Sequence, residues 1–157
     1  MNSASQPEVL TVLVAARNEA QSLPLLHPRI AAVLKRLDGV QGRVLYVDDG
    51  STDGTWEIMQ GLARKDASVS LLRLSRNFGK ELALTAGLDQ VETGAVLILD
   101  ADGQDPPELI PQFVAHWRQG YALEAAEAVL AHAFDVLQLR EVLAFTVPAN
   151  LPSQGLM

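Results

Sequence analysis

Cysteine is absent from the 157 residues, which excludes disulfides, thiolate metal sites and a cysteine nucleophile. Positive charge is scarce as well: 12 Lys and Arg stand against 19 Asp and Glu, a formal net charge of −7. A chain so acidic, with no basic stripe, lacks the electrostatic footprint for neutralising phosphates, so no nucleic acid partner is expected. No run approaches the ~20 apolar residues that cross a bilayer. The polar opening Met1–Val9 (MNSASQPEV) has no cationic, apolar signal-peptide pattern. The histidines, His27, His116 and His132, are scattered without metal-ligand spacing and are expected at the surface or partly buried. No repeat or low-complexity tract is present. What remains is ordinary for one folded domain, with 48% apolar and 20% charged residues, and a cytoplasmic placement is expected.

Short β-branched runs alternate with longer amphipathic stretches. After a polar tail over 1–8, Val9–Ala15 reads as a buried strand. A helix follows over Ser22–Leu37, with Leu23, Leu26, Ile30, Val33, Leu34 and Leu37 on one face. Arg43–Val47, Val69–Leu74 and Ala95–Leu99 read as further strands. Helices are predicted from Thr55, over Gly79–Val91, and from Pro106-Pro107 through Trp117, proline being suited to a first helical turn. Trp56 and Trp117 fall in helical patterns and are expected in the core. Strands spaced by helices predict an α/β fold with right-handed crossovers, a Rossmann-like, doubly wound, mostly parallel sheet.

In such sheets ligands sit outside the carboxyl ends of the strands. Four polar clusters fall there: Arg17-Asn18-Glu19, Asp48-Asp49, Ser75-Arg76-Asn77-Phe78-Gly79-Lys80, and Asp100-Ala101-Asp102. Alternate carboxylates at Asp100 and Asp102 suit a hard cation, Mg2+ or Mn2+, that takes one or two protein carboxylates plus substrate phosphates; Gln104 adds a neutral oxygen. The competing explanation is a helix cap in a solvated turn. Asp49 has the position of a carboxylate that accepts bonds from a base or ribose, whereas helix capping accounts for Asp53. Lys80, after Gly79 at a helix start, suits an anion; the alternative is a solvated lysine. It is no P-loop, because the first glycine is missing and Glu81 stands where Ser or Thr is needed.

Four motifs occur in order: Val14-Ala15-Ala16-Arg17-Asn18-Glu19, Val47-Asp48-Asp49-Gly50-Ser51-Thr52-Asp53, Ser75-Arg76-Asn77-Phe78-Gly79-Lys80-Glu81 and Leu99-Asp100-Ala101-Asp102-Gly103-Gln104-Asp105-Pro106-Pro107-Glu108. Together they resemble the GT-A family 2 glycosyltransferases, in the branch of dolichol-phosphate mannosyltransferase and the bacterial polyprenyl-phosphate sugar transferases. The resemblance covers about 9–121, a donor-binding domain. It implies a UDP- or GDP-sugar donor, Mg2+ or Mn2+, inversion at the sugar carbon, and a polyprenyl phosphate acceptor at the inner face of the membrane. It assigns Ala15, Arg17, Glu19, Asp48, Asp49, Lys80, Asp100, Ala101 and Asp102 to the nucleotide-sugar, and Asp100, Asp102 and Gln104 to the metal. Ala15 and Arg17 depart from the family's usual proline and tyrosine, as Gly103 and Asp105 do from its leucine and histidine.

Beyond the Trp-x-x-Gly-Tyr stretch the pattern changes. Residues 122–157, with an amphipathic helix over Ala122–Leu137 and a strand at Val142–Val147, resemble the C-terminal part of a GNAT N-acetyltransferase, overlapping the first family from 117. The implied arrangement is a truncated donor-binding domain with a foreign helix–strand piece, of weak metal-dependent nucleotide binding and little or no turnover, its open sheet edge left either to aggregate or to be closed by a second copy of the chain. Three other readings stand beside it: a non-catalytic nucleotide-binding or interaction module, an acetyl-CoA-dependent acetyltransferase fragment, and a phosphoryl-transfer enzyme with Asp100 as aspartyl nucleophile. The late position of the fourth strand and Gln104 after Gly103 oppose the last.

Overall fold

A computed structural model describes residues 8–119. Four strands, β1 (Glu8–Ala16), β2 (Val40–Asp48), β3 (Val69–Arg73) and β4 (Ala95–Ile98), form one parallel sheet in the order β3-β2-β1-β4. Helices α1 (Leu23–Leu34), α2 (Thr55–Lys65) and α3 (Lys80–Leu88) link them, and a 3-10 turn at Pro107–Leu109 leads into α4 (Ile110–Arg118). Two compact units divide the chain, Met1–Glu108 and Leu109–Met157. The first holds the whole sheet. Of the second, the described part is α4, with Ile110 and Val114 buried. The predicted boundary at 121/122, the helix–strand piece beyond it and His132 lie outside the described residues.

Alternation along the strands builds a core on both faces. Val12, Val14, Val44 and Tyr46 are buried, as are Leu23, Leu26 and Ile30 of α1 and Met59 of α2. Leu13, Leu45 and Val47, of opposite parity, cluster with Ala83 of α3. The fit under α3 is close: a Cβ on Gly87 would lie 2.4 Å from a methyl of Leu13 and 3.0 Å from one of Val47. From β1 to β3 the chain winds one way across the sheet, then returns past β1 to lay down β4. The carboxyl ends of β1 and β4 therefore flank the crevice where strand order reverses.

Several boundaries and burials differ from expectation. The first helix stops at Leu34, because Lys35, Arg36 and Leu37 close as a tightened turn on Ala31, Val33 and Leu34 carbonyls. Val33 and Leu37 are only half-buried. His27, expected at the surface or partly buried, is buried beneath α1, its Nδ1 3.1 Å from Tyr46 Oη and its Nε2 3.8 Å from Asp66. Burial pulls its pKa below the ordinary imidazole value, against the opposing pull of Asp66. Trp56 and Trp117 are half-buried rather than core. The Trp56 ring carries the Arg73 guanidinium 5.0 Å from its centroid, a use that keeps one face open to the charge.

Candidate functional site

Each loop at the carboxyl edge is tied to its neighbour. The β1–α1 loop turns through Asn18, whose φ of 57° lies in the left-handed region that Asn tolerates. Asn18 N–H donates to Ser51 Oγ, and its own Oδ1 accepts from Thr52 N–H at 2.9 Å. Glu19 and Ala20 N–H donate to Thr55 Oγ1 and Asp53. Asp53 also accepts from the backbone and hydroxyl of Thr55, which holds its carboxyl below the usual range. The helix-start role expected of Asp53 is thus extended into a tie between two loops. Ser22 Oγ donates to the Glu19 carboxylate.

Asp48 and Asp49 part company at the end of β2. The Asp48 side chain is fully buried, 3.1 Å from Arg73 Nε, with Ser51 N–H donated to its other oxygen. Strand register explains the pairing: Arg73 of β3 lies directly beside Asp48. Asp49, one residue on, accepts Phe78 N–H at 2.7 Å and Gly79 N–H at 3.0 Å. The β3–α3 loop is thereby fastened to the end of β2. Close approach of the two loops demands glycine at position 50, where φ is +65° and a Cβ would sit 2.4 Å from the Asn77 nitrogen.

Lys80 opens α3 and reaches across to the turn after β4, its Nζ 2.7 Å from the Asp100 carboxylate. That contact raises the lysine pKa, with Asp102 and Glu81 adding to it. The turn after β4 passes through Gly103 at φ +78°, and Gln104 N–H donates to Asp102 Oδ1. Glu108 closes the same segment with a two-pronged contact to Arg29 of α1, at 2.9 and 2.7 Å, which depresses its carboxyl pKa to about 2.

These loops enclose an open cleft of about 370 Å3, lined by Ala15, Ala16, Arg17, Glu19, Asp49, Asn77, Gly79, Lys80, Asp100, Ala101 and Asp102. Eight of the sequence-selected residues line it. Asp48 and Gln104 do not: Asp48 is sealed beneath the rim by Arg73, and Gln104 is exposed beside the turn. Ala16, Asn77 and Gly79 join the lining without having been singled out. For Asn77 and Gly79 the signal was available, since both lie within the cluster after the third strand. Asp100 and Asp102 supply two hard oxygen donors to the cleft. No group of three or more His, Cys, Asp or Glu side chains among the described residues could cage a metal alone. That donor set fits a divalent ion that completes its shell with substrate phosphates and water.

Known proteins carry the same plan. The Glycosyl transferase family 2 model matches residues 11–131, so the match continues ten residues past the expected limit at 121 and into the segment that resembles GNAT proteins. The acetyltransferase resemblance finds no support in these matches. An undecaprenyl-phosphate 4-deoxy-4-formamido-L-arabinose transferase of Pseudomonas savastanoi pv. phaseolicola is 42% identical over 114 residues, 71% of this chain and 33% of that protein. A bactoprenol glucosyl transferase of Shigella phage SfX is 36% identical over 126 residues, 80% of this chain and 39% of that protein. The chain thus spans a third to two fifths of the length of these relatives. Among solved structures, the mannosyltransferase PcManGT from Pyrobaculum calidifontis, in complex with GDP-Man and Mn2+, aligns with a TM-score of 0.53 at 29% identity. The alignment covers 63% of this chain and 28% of that one. S. aureus TarS shares the fold, with a TM-score of 0.58 at 24% identity over 70% of this chain and 32% of that one. With the four motifs gathered on one rim and the family model matched over most of its length, the chain belongs to glycosyl transferase family 2.

Proposed function

We propose that the cleft binds the diphosphate of a UDP- or GDP-sugar together with Mg2+ or Mn2+, and that the whole protein transfers the sugar to a polyprenyl phosphate. The observation that carries this reading is the meeting of Arg17, Asp49, Lys80, Asp100 and Asp102 in one cleft, at the switch point between β1 and β4. Relatives with matching sequence are named for undecaprenyl phosphate and bactoprenol acceptors. PcManGT is described with GDP-Man and Mn2+, and TarS, at 26% identity, with UDP-GlcNAc.

Asp100 and Asp102 would hold the metal, which when bound supplies positive charge to a departing nucleoside diphosphate. Arg17 and Lys80 bring cationic donors to the phosphate oxygens. Asp49 and Glu19 face the nucleoside, and the small side chains of Ala15, Ala16 and Ala101 let a ligand approach the strand ends. An acceptor phosphate oxygen attacks the anomeric carbon from the face opposite the leaving diphosphate, which inverts that centre. Because such an acceptor is already anionic, the reaction makes little demand on a general base. No helix among the described residues is long and apolar enough to cross a membrane. A peripheral position at the inner membrane face is the placement that a polyprenyl acceptor requires.

Isothermal titration with UDP and with GDP, each with and without Mn2+, tests the reading. Weak binding of one nucleotide that depends on Mn2+ is expected. Absence of binding, or binding indifferent to the metal, overturns it. A product assay with polyprenyl phosphate separates transfer from the non-catalytic binding module.

A further inference from the structure

Lys80 occupies the carboxylate that the metal needs. Its Nζ lies 2.7 Å from both oxygens of Asp100, so the ammonium sits across the oxygen pair of one of the two cleft carboxylates. A divalent cation on the same oxygens would face a full positive charge at contact range, so the ammonium and the metal compete for Asp100. Asp49 fixes where the lysine starts from. Its carboxylate holds the amides of Phe78 and Gly79, and α3 begins at the next residue. The backbone is therefore anchored while the four-carbon stem, about half exposed, is free to swing. Lys80 and Arg17 line the same cleft as Asp100.

We infer that Lys80 is an exchangeable counter-ion: it holds Asp100 in the metal-free protein and surrenders it to a divalent cation when a diphosphate enters and takes the ammonium. The inference rests on the donor-binding reading above and adds a coupling to it. Metal alone must displace the lysine into solvent. Metal with a diphosphate moves it from one anion to another. Each ligand thus strengthens the other through Lys80, beyond any bond between them, and the effect is reciprocal.

Mn2+ affinity, followed by titration calorimetry or by the electron paramagnetic resonance signal of free Mn2+, tests the exchange without any turnover. In K80M, Mn2+ added alone should bind about two- to fivefold more tightly than in the parent chain, the range an exposed ion pair is worth. The same variant should bind UDP or GDP more weakly at saturating Mn2+, and K80R should stay near the parent in both. Unchanged or weaker binding of Mn2+ alone by K80M overturns the exchange, even where the parent chain binds Mn2+ and nucleotide as proposed. A parent chain that binds neither Mn2+ nor either nucleotide overturns the donor-binding reading and the exchange with it.

Discussion

Asp49 grips the amide of Gly79 at 3.0 Å across two loops, and takes that of Phe78 with its other oxygen. A residue selected as a nucleotide contact therefore also builds the wall of the cleft. Replacing it by asparagine keeps one oxygen for Phe78 N–H but sets an NH2 group against Gly79 N–H, which is left with Asn77 Oδ1, 3.1 Å away, as its acceptor.

D49N should lose about 0.5–1.5 kcal/mol of stability, the net worth of the one hydrogen bond that is lost. It should also weaken Mn2+-dependent nucleotide binding roughly tenfold, about 1.4 kcal/mol. Urea unfolding and nucleotide titration on the same variant measure the two effects. Weakened binding at full stability would assign Asp49 to the ligand alone.

The neighbouring carboxylates should behave oppositely. D48N breaks the contact between a fully buried side chain and Arg73, and about 1.5–3 kcal/mol of stability should go with it, as for other bonds to charged groups. D102N, at an exposed position lining the cleft, should leave the unfolding midpoint unchanged and remove most of the Mn2+ dependence of nucleotide binding.

Acid should weaken the fold through His27. Its pKa is lowered in the folded protein by burial, so the unfolded chain binds the extra proton first. Stability is complete above the unfolded value of ~6.5. It falls as pH drops below that value and levels off beneath the folded pKa. Urea midpoints at pH 7.5 and 5.5 should differ, and H27Q should flatten the difference.

Two glycines in helices should respond with opposite sign. Gly87→Ala forces a Cβ within 2.4 Å of Leu13 and should cost about 1–3 kcal/mol through overpacking. Gly61→Ala, inside α2 with nothing within 4 Å, should gain about 0.5–1 kcal/mol by stiffening the unfolded chain. Denaturant midpoints of the two variants decide it.

The strand ends were legible because β-branched runs stop where the chain turns polar, and parallel crossovers then carry every such stop to one edge. That reasoning cannot separate Asp48 from Asp49, since both follow the same apolar run. Register does separate them, by setting Arg73 beside the first. His27 sits on the buried stripe between Leu23, Leu26 and Ile30, but a polar ring there is accounted for by partners distant in sequence, Tyr46 at 19 residues and Asp66 beyond it. The Lys80–Asp100 contact joins loops 20 residues apart, and no periodicity encodes it. Nor does the sequence pattern reveal that Trp56 serves as a platform for Arg73.

The ties around the rim are of two physical kinds. The loops after β1, β2 and β3 are stitched by side-chain oxygens that accept from backbone amides. The described side-chain ties that reach the turn after β4 from other elements are ion pairs at the surface, Lys80 with Asp100 and Arg29 with Glu108. Such pairs fade as ionic strength shortens the Debye length from about 10 Å at 0.1 M to about 3 Å at 1 M, whereas amide bonds do not. Concentrated salt should therefore loosen the turn that carries Asp100 and Asp102 while the Asp49 side of the cleft keeps its shape, so that one end of the pocket is adjustable by its solvent and the other is not.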